Sequence, residues 1–132
     1  MSSEGGCLCG AIRYRVEGAP QRAGICHCSD CRRASGAPLI AWAIYPRESF
    51  TLTAGSPRAY NSSPDTFRHF CADCGTGLYY VNEVVLPGLV DIQLGSLDDA
   101  AAVTPTNQIQ TAERLEWVAR LHELPAFPRW PE

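Results

Sequence analysis

The chain has 132 residues, 45% of them hydrophobic, and a formal net charge of -3. That length fits one domain, expected over residues 1–132, with a small core, and the composition excludes a disordered polar chain. All 11 basic residues are arginines, and none forms a run longer than Arg32-Arg33, so no nucleic-acid footprint is evident.

The start, Met1 to Glu4, has neither the basic region nor the apolar run of a signal peptide. No stretch approaches the roughly 18 apolar residues of a membrane span. The expected location is the cytoplasm, where thiols stay reduced and clustered cysteines serve metals or catalysis more often than disulfides. Seven cysteines also leave one over in any all-disulfide scheme.

In chain order, Gly5 to Glu17 opens with two glycines and then alternates. Ile12, Tyr14 and Val16 share one face and Arg13, Arg15 and Glu17 the other, the pattern of a half-buried strand. Gly18-Ala19-Pro20 reads as a turn, followed by a short strand into Cys26. Ser29 reads as the N-cap of a helix over Asp30 to Ala34, with Gly36 ending it in the left-handed conformation. Pro38 to Tyr45 is a short apolar run expected to be a buried strand.

Short strands are expected at Phe50 to Thr53, Phe67 to Phe70, Gly77 to Val81 and Leu89 to Leu94, with turns at Gly55 to Pro57 and Asn61 to Pro64. Leu97 to Ala102 is compatible with a helical turn. Asn107 to Thr111 is a candidate strand, and the end is proline-rich coil. Many short strands with Gly/Pro turns predict a mostly β domain with little helix. Trp42, Tyr45, Phe70, Tyr79 and Trp117 read as core.

The cysteines divide as two, three and two. Cys26-His27-Cys28-Ser29-Asp30-Cys31 holds three; Cys7 with Cys9, and Cys71 with Cys74, are close pairs. Alternate residues of a strand share a face, so Cys7 and Cys9 are expected side by side. Cys71-Ala-Asp-Cys74-Gly75 reads as a knuckle whose turn gathers two sulfurs. Together the pairs supply the four thiolates of a closed structural zinc, with buried unmetallated thiols as the bland alternative.

The triplet offers three ligands, the number that leaves a zinc one open position. Backbone N–H groups at the start of the following helix favour thiolates there. Three thiolates and one Zn²⁺ carry a net charge of about −1, which suits delivery of a sulfur nucleophile better than polarising water. Two alternatives stay open: closure of the site by His27 or Asp30, or a metal-free redox cluster. Arg32 and Arg33 can pair with the carboxylates of a thiol substrate, or form a solvated helix face. His69 and His122 have no visible partner.

Gly6 to Tyr14, Cys26 to Gly36, Ser62 to Pro64 and Arg68 to Leu78 together resemble the glutathione-dependent formaldehyde-activating enzyme family, whose domain centromere protein V shares. The resemblance runs from Gly5 to about Phe127. It implies a β-tent fold of small stacked antiparallel sheets. It also implies a structural zinc on Cys7, Cys9, Cys71 and Cys74, and a catalytic zinc on Cys26, Cys28 and Cys31. The activity implied is addition of glutathione to formaldehyde, formally a carbon–sulfur lyase running in the synthetic direction. Members often carry histidine before the isoleucine that is Ile109 here, whereas this chain has Gln108.

The combined expectation is a two-zinc enzyme acting on a small thiol, such as glutathione, and a small aldehyde. Neither nucleic acid nor membrane is an expected partner. The competing readings are a zinc-stabilised interaction module without catalysis and a thiol redox protein.

Overall fold

A computed structural model describes residues 1–131; residue 132, the last of the expected domain, lies outside them. The elements in order are β1 (Ser2–Gly6), β2 (Arg13–Glu17), β3 (Arg22–Cys26), α1 (Ser29–Ser35) and β4 (Ile40–Pro46). They continue as β5 (Phe50–Ala54), β6 (Arg58–Ser63), β7 (Thr66–Phe70), β8 (Gly77–Val81), β9 (Leu89–Gln93) and β10 (Asn107–Ile109). Short 3₁₀ turns fill much of the remainder.

The architecture is mostly β, in two stacked sheets. The small sheet has the order β1-β2-β5, and the large one β10-β3-β4-β9-β8-β7-β6. All pairings are antiparallel except β10 on β3. That parallel strand lies against bare backbone: a Cβ at Gly24 would collide with the Asn107 side chain.

The alternation read in Ile12, Tyr14 and Val16 holds, and all three are buried. They meet one face of the large sheet, where Ala43 and Tyr45 of β4, Val90 and Ile92 of β9, and Leu78 and Tyr79 of β8 complete the main core. Phe50 links the layers, with ring centroids 5.3 Å from Tyr14 and 4.7 Å from Tyr79, distances at which aromatic pairs attract. Because strand side chains alternate, the other face of β3 and β4 carries a second, smaller cluster of Cys26, Cys31, Ile40 and Trp42.

Several local expectations change. β1 is polar and glycine-rich and gives no alternation signal; it is a strand because its backbone pairs residue for residue with β2, from Ser2 opposite Glu17 to Gly6 opposite Arg13. Cys7 and Cys9 therefore lie in the connection between β1 and β2, not on a strand. Asn61 to Ser63 belong to β6, an edge strand exposed throughout, and the turn is confined to Pro64-Asp65. Trp117 is 47% exposed and no part of the core. No helix among the described residues is long and apolar enough to cross a membrane.

Candidate metal centres and the cavity beside them

Two groups of cysteine sulfurs form, and each can hold a metal ion. Cys7, Cys9, Cys71 and Cys74 make one, Cys26, Cys28 and Cys31 the other; within each, the sulfurs lie within 4.8 Å of one another. His27 and Asp30 belong to neither group.

The four-sulfur group joins the β1–β2 connection to the β7–β8 turn, and so ties the small sheet to the large one. The Cys7–Cys9 and Cys9–Cys71 sulfur separations are 3.7 and 3.8 Å. A disulfide needs about 2.05 Å. A tetrahedral ZnS₄ with Zn–S near 2.3 Å has edges of about 3.8 Å, so the sulfurs already stand at metal-site spacing. The knuckle is as expected: Gly75 takes φ 81° and donates its N–H to the Cys71 carbonyl at 2.8 Å.

Donors also point at these sulfurs. The Ile12 N–H reaches the Cys7 sulfur at 3.2 Å. Cys74 lies 3.2 Å from the Thr76 hydroxyl, and the side chain and N–H of Thr76 hold its thiol down at about 5. Such donors orient and stabilise thiolate ligands.

The three-sulfur group is local, spanning the end of β3 and the first turn of α1. Here the N-cap of α1 is Cys28 rather than Ser29: its sulfur accepts from the Cys31 N–H at 3.3 Å. Gly36 closes the helix at φ 67°, as expected. Burial raises the Cys28 pKa, but the Cys31 N–H and neighbouring sulfurs outweigh it and leave it lowered. Burial raises that of Cys26. Burial and then Cys28 push Cys31 up to about 12. The helix start thus favours one thiolate, while burial, and then the neighbouring sulfurs, keep the others protonated unless a cation shares the site.

His27 is completely buried and turned away from the sulfurs. Its Nε2 lies 2.7 Å from Gln108 Oε1, and its backbone N–H donates to the Ile109 carbonyl, which attaches β10 to the end of β3. Gln108 thus holds the residue between two cysteines.

The triplet opens onto a cavity of about 330 Å³. Trp42 and Tyr80, with ring centroids 5.9 Å apart, form an aromatic wall, so Trp42 serves the cavity rather than the main core. The Arg68 guanidinium lies 5.4 Å above the Tyr80 ring, a cation–π geometry, and 3.9 Å from the Cys31 sulfur. Asp91 on β9 also lines this space, with Oδ1 buried and unpartnered. A second cavity of about 580 Å³ shares Asp30, Ser62 and Arg68 with the first and adds Arg33 and Tyr60. Arg32 lines neither cavity; its charge is felt by Glu113.

Tyr80 and Asp91 carry no motif signal, and Arg68 is read only as the start of the motif around the second cysteine pair. They converge because Arg68 pairs with Tyr80 across β7–β8 and Tyr80 with Asp91 across β8–β9. Only correct strand order and register reveals that.

Residues 2–113 match the family described as glutathione-dependent formaldehyde-activating enzyme. An uncharacterized lyase of Schizosaccharomyces pombe is 34% identical over 77 residues, covering 58% of this chain and 56% of that protein. A Halomonas elongata protein provisionally named a glutathione-dependent formaldehyde-activating enzyme is 31% identical over 87 residues, covering 60% and 55%. The match spans little more than half the length of these curated relatives. A crystal structure of a Rhodobacter sphaeroides protein superposes with a TM-score of 0.64 at 23% identity, covering 80% of this chain and 98% of the other, and so shares the fold.

Proposed function

Because this chain belongs to the glutathione-dependent formaldehyde-activating enzyme family, we propose that it is a carbon–sulfur lyase that joins a small thiol to a small aldehyde. Glutathione and formaldehyde are the first candidates. The observation that carries the reading is the contrast in ligand number: four sulfurs close one site, while three face a cavity. The four-sulfur site is read as a structural zinc and the triplet as a catalytic one. A zinc ion on Cys26, Cys28 and Cys31 would supply the charge that keeps an entering thiol ionised at neutral pH.

The chain's own residues account for the rest. Trp42 and Tyr80 narrow the cavity and limit water beside the reacting sulfur. Arg68 and Arg33 line the larger cavity and offer guanidinium groups to the carboxylates of a glutathione-like thiol. The thiolate attacks the aldehyde carbon, the carbon–sulfur bond forms, and the carbonyl π pair moves to oxygen as an alkoxide. The same contacts serve the reverse cleavage.

Glutathione and formaldehyde combine unaided, so the test must read exchange above that background. NMR exchange spectroscopy of S-hydroxymethylglutathione is expected to show acceleration by wild type and none by Cys28→Ser. Equal rates for wild type, variant and buffer would overturn this reaction and favour a binding role for the domain.

A further inference from the structure

The addition leaves one proton to be carried. The thiol loses it before its sulfur attacks, and the alkoxide must regain it, so that overall none is consumed or released. None of the side chains assigned above carries it.

Of the two acids that line the cavity, Asp91 is the one outside the Cys26–Cys31 segment. It lines the same 330 Å³ cavity as the three cysteines. On β9 it pairs with Tyr80 of β8 and Ile44 of β4, while its neighbours Val90 and Ile92 turn into the main core. It is not one of the sulfur-site ligands, and it joins no ion pair among the described residues. A carboxylate oxygen buried without a donor is costly, and protonation removes that cost.

The charged and titratable groups around it are few. Arg22 reaches it from β3, Tyr80 lies beside it on β8, and Arg68, Asp30 and the three thiols line the same cavity. Burial outweighs the opposing pull of Arg22 and lifts the Asp91 carboxyl to about 7. A carboxyl poised there both holds and releases a proton near neutral pH.

Resting on the reading of this site as one that joins a thiol to an aldehyde, we propose that Asp91 is the proton carrier of the reaction. Its carboxylate takes the proton from the entering thiol. As the carbon–sulfur bond forms and the carbonyl π bond breaks, its carboxylic acid returns that proton to the alkoxide oxygen. Product leaves as the neutral hydroxymethyl thioether, and the carboxylate is ready for the next thiol. In cleavage Asp91 takes the hydroxyl proton and gives it to the departing sulfur.

Two measurements on the zinc-loaded protein test this. Isotope-edited infrared spectra, wild type minus Asp91→Asn, read the carboxyl without turnover. One carboxyl is expected to lose its proton near neutral pH; an Asp91 already ionised at about pH 5 overturns the proposal. In the S-hydroxymethylglutathione exchange assay, the wild-type rate should follow that ionisation. Asp91→Asn should lower it by about 100-fold or more and flatten the pH profile, while Asp91→Glu recovers part of both. An Asp91→Asn enzyme with wild-type rate and profile overturns the carrier while leaving the lyase reading standing. A wild type that does not accelerate exchange overturns both, whatever the infrared shows. If Asp91→Asn fails to fold, the wild-type pH–rate profile decides, and a profile without a near-neutral limb overturns the proposal.

Discussion

The two cysteine groups use the same atoms in opposite ways. Cys7 and Cys9 meet Cys71 and Cys74 across more than sixty residues and tie two sheets together, with Cys7 and Cys71 inside the main core. Cys26, Cys28 and Cys31 come from six consecutive residues, cluster on the other face of the large sheet, and face a cavity. A ligand set gathered from distant segments stabilises the fold each time metal binds; one made locally leaves its metal free for chemistry. In the proposed reading, the face of the sheet, more than the ligand type, divides the two roles.

The comparison breaks most visibly at the clamp. Cys7→Ser or Cys74→Ser is expected to cost roughly 4 kcal/mol or more, enough to leave a small domain largely unfolded by circular dichroism. Cys28→Ser should leave the fold near wild type, within about 1 kcal/mol, because serine also caps a helix. Its exchange rate should fall by at least about 100-fold. Equal melting losses from Cys28→Ser and Cys7→Ser would erase the distinction.

Asp91 sharpens the same contrast from the cavity side. Its carboxyl binds a proton more tightly folded than unfolded, where the usual value is near 3.8. Its favourable contribution is therefore complete below about pH 4 and lost as pH rises through about 7. Asp91→Asn stays neutral, so its melting temperature should gain on wild type from about pH 4 to about pH 7. A constant difference would show that Asp91 does not titrate in that window.

Smaller effects come from the backbone and the surface. Gly75→Ala, at φ 81° in the clamp knuckle, should cost about 1–2 kcal/mol and loosen zinc there. Gly36→Ala, at φ 67° after α1, carries similar strain but should leave the clamp metal in place. Asp98→Ala breaks an ion pair with Arg13 that is half exposed, and should change stability by no more than about 1 kcal/mol in chemical denaturation.

How far the sequence carries follows from which interactions are local. The cysteine division, the Cys71–Gly75 knuckle and the Gly36 helix end are fixed by residues within a few positions of one another, and they read directly. So does the alternation of Ile12, Tyr14 and Val16, because one face is buried. β1 escapes because its residues are polar or glycine, and β6 because it is exposed throughout and no face alternates; only their partners make them strands. Hydroxyl preference points to Ser29 as the cap, whereas the Cys28 sulfur takes the N–H of Cys31. Arg68, Tyr80 and Asp91 come from three strands and meet only through register, which no local pattern encodes. Trp42 reads as core, while the face of β4 it occupies belongs to the cavity.

Stepwise zinc removal tests the division of labour most directly. Zinc released to a chelator, counted together with the far-ultraviolet circular dichroism of the same sample, should come off in two stages. The first ion should leave a folded protein, because three local thiolates hold it without joining the sheets; the second should leave together with the fold. Loss of structure with the first ion, or release of both in one step, would contradict the account.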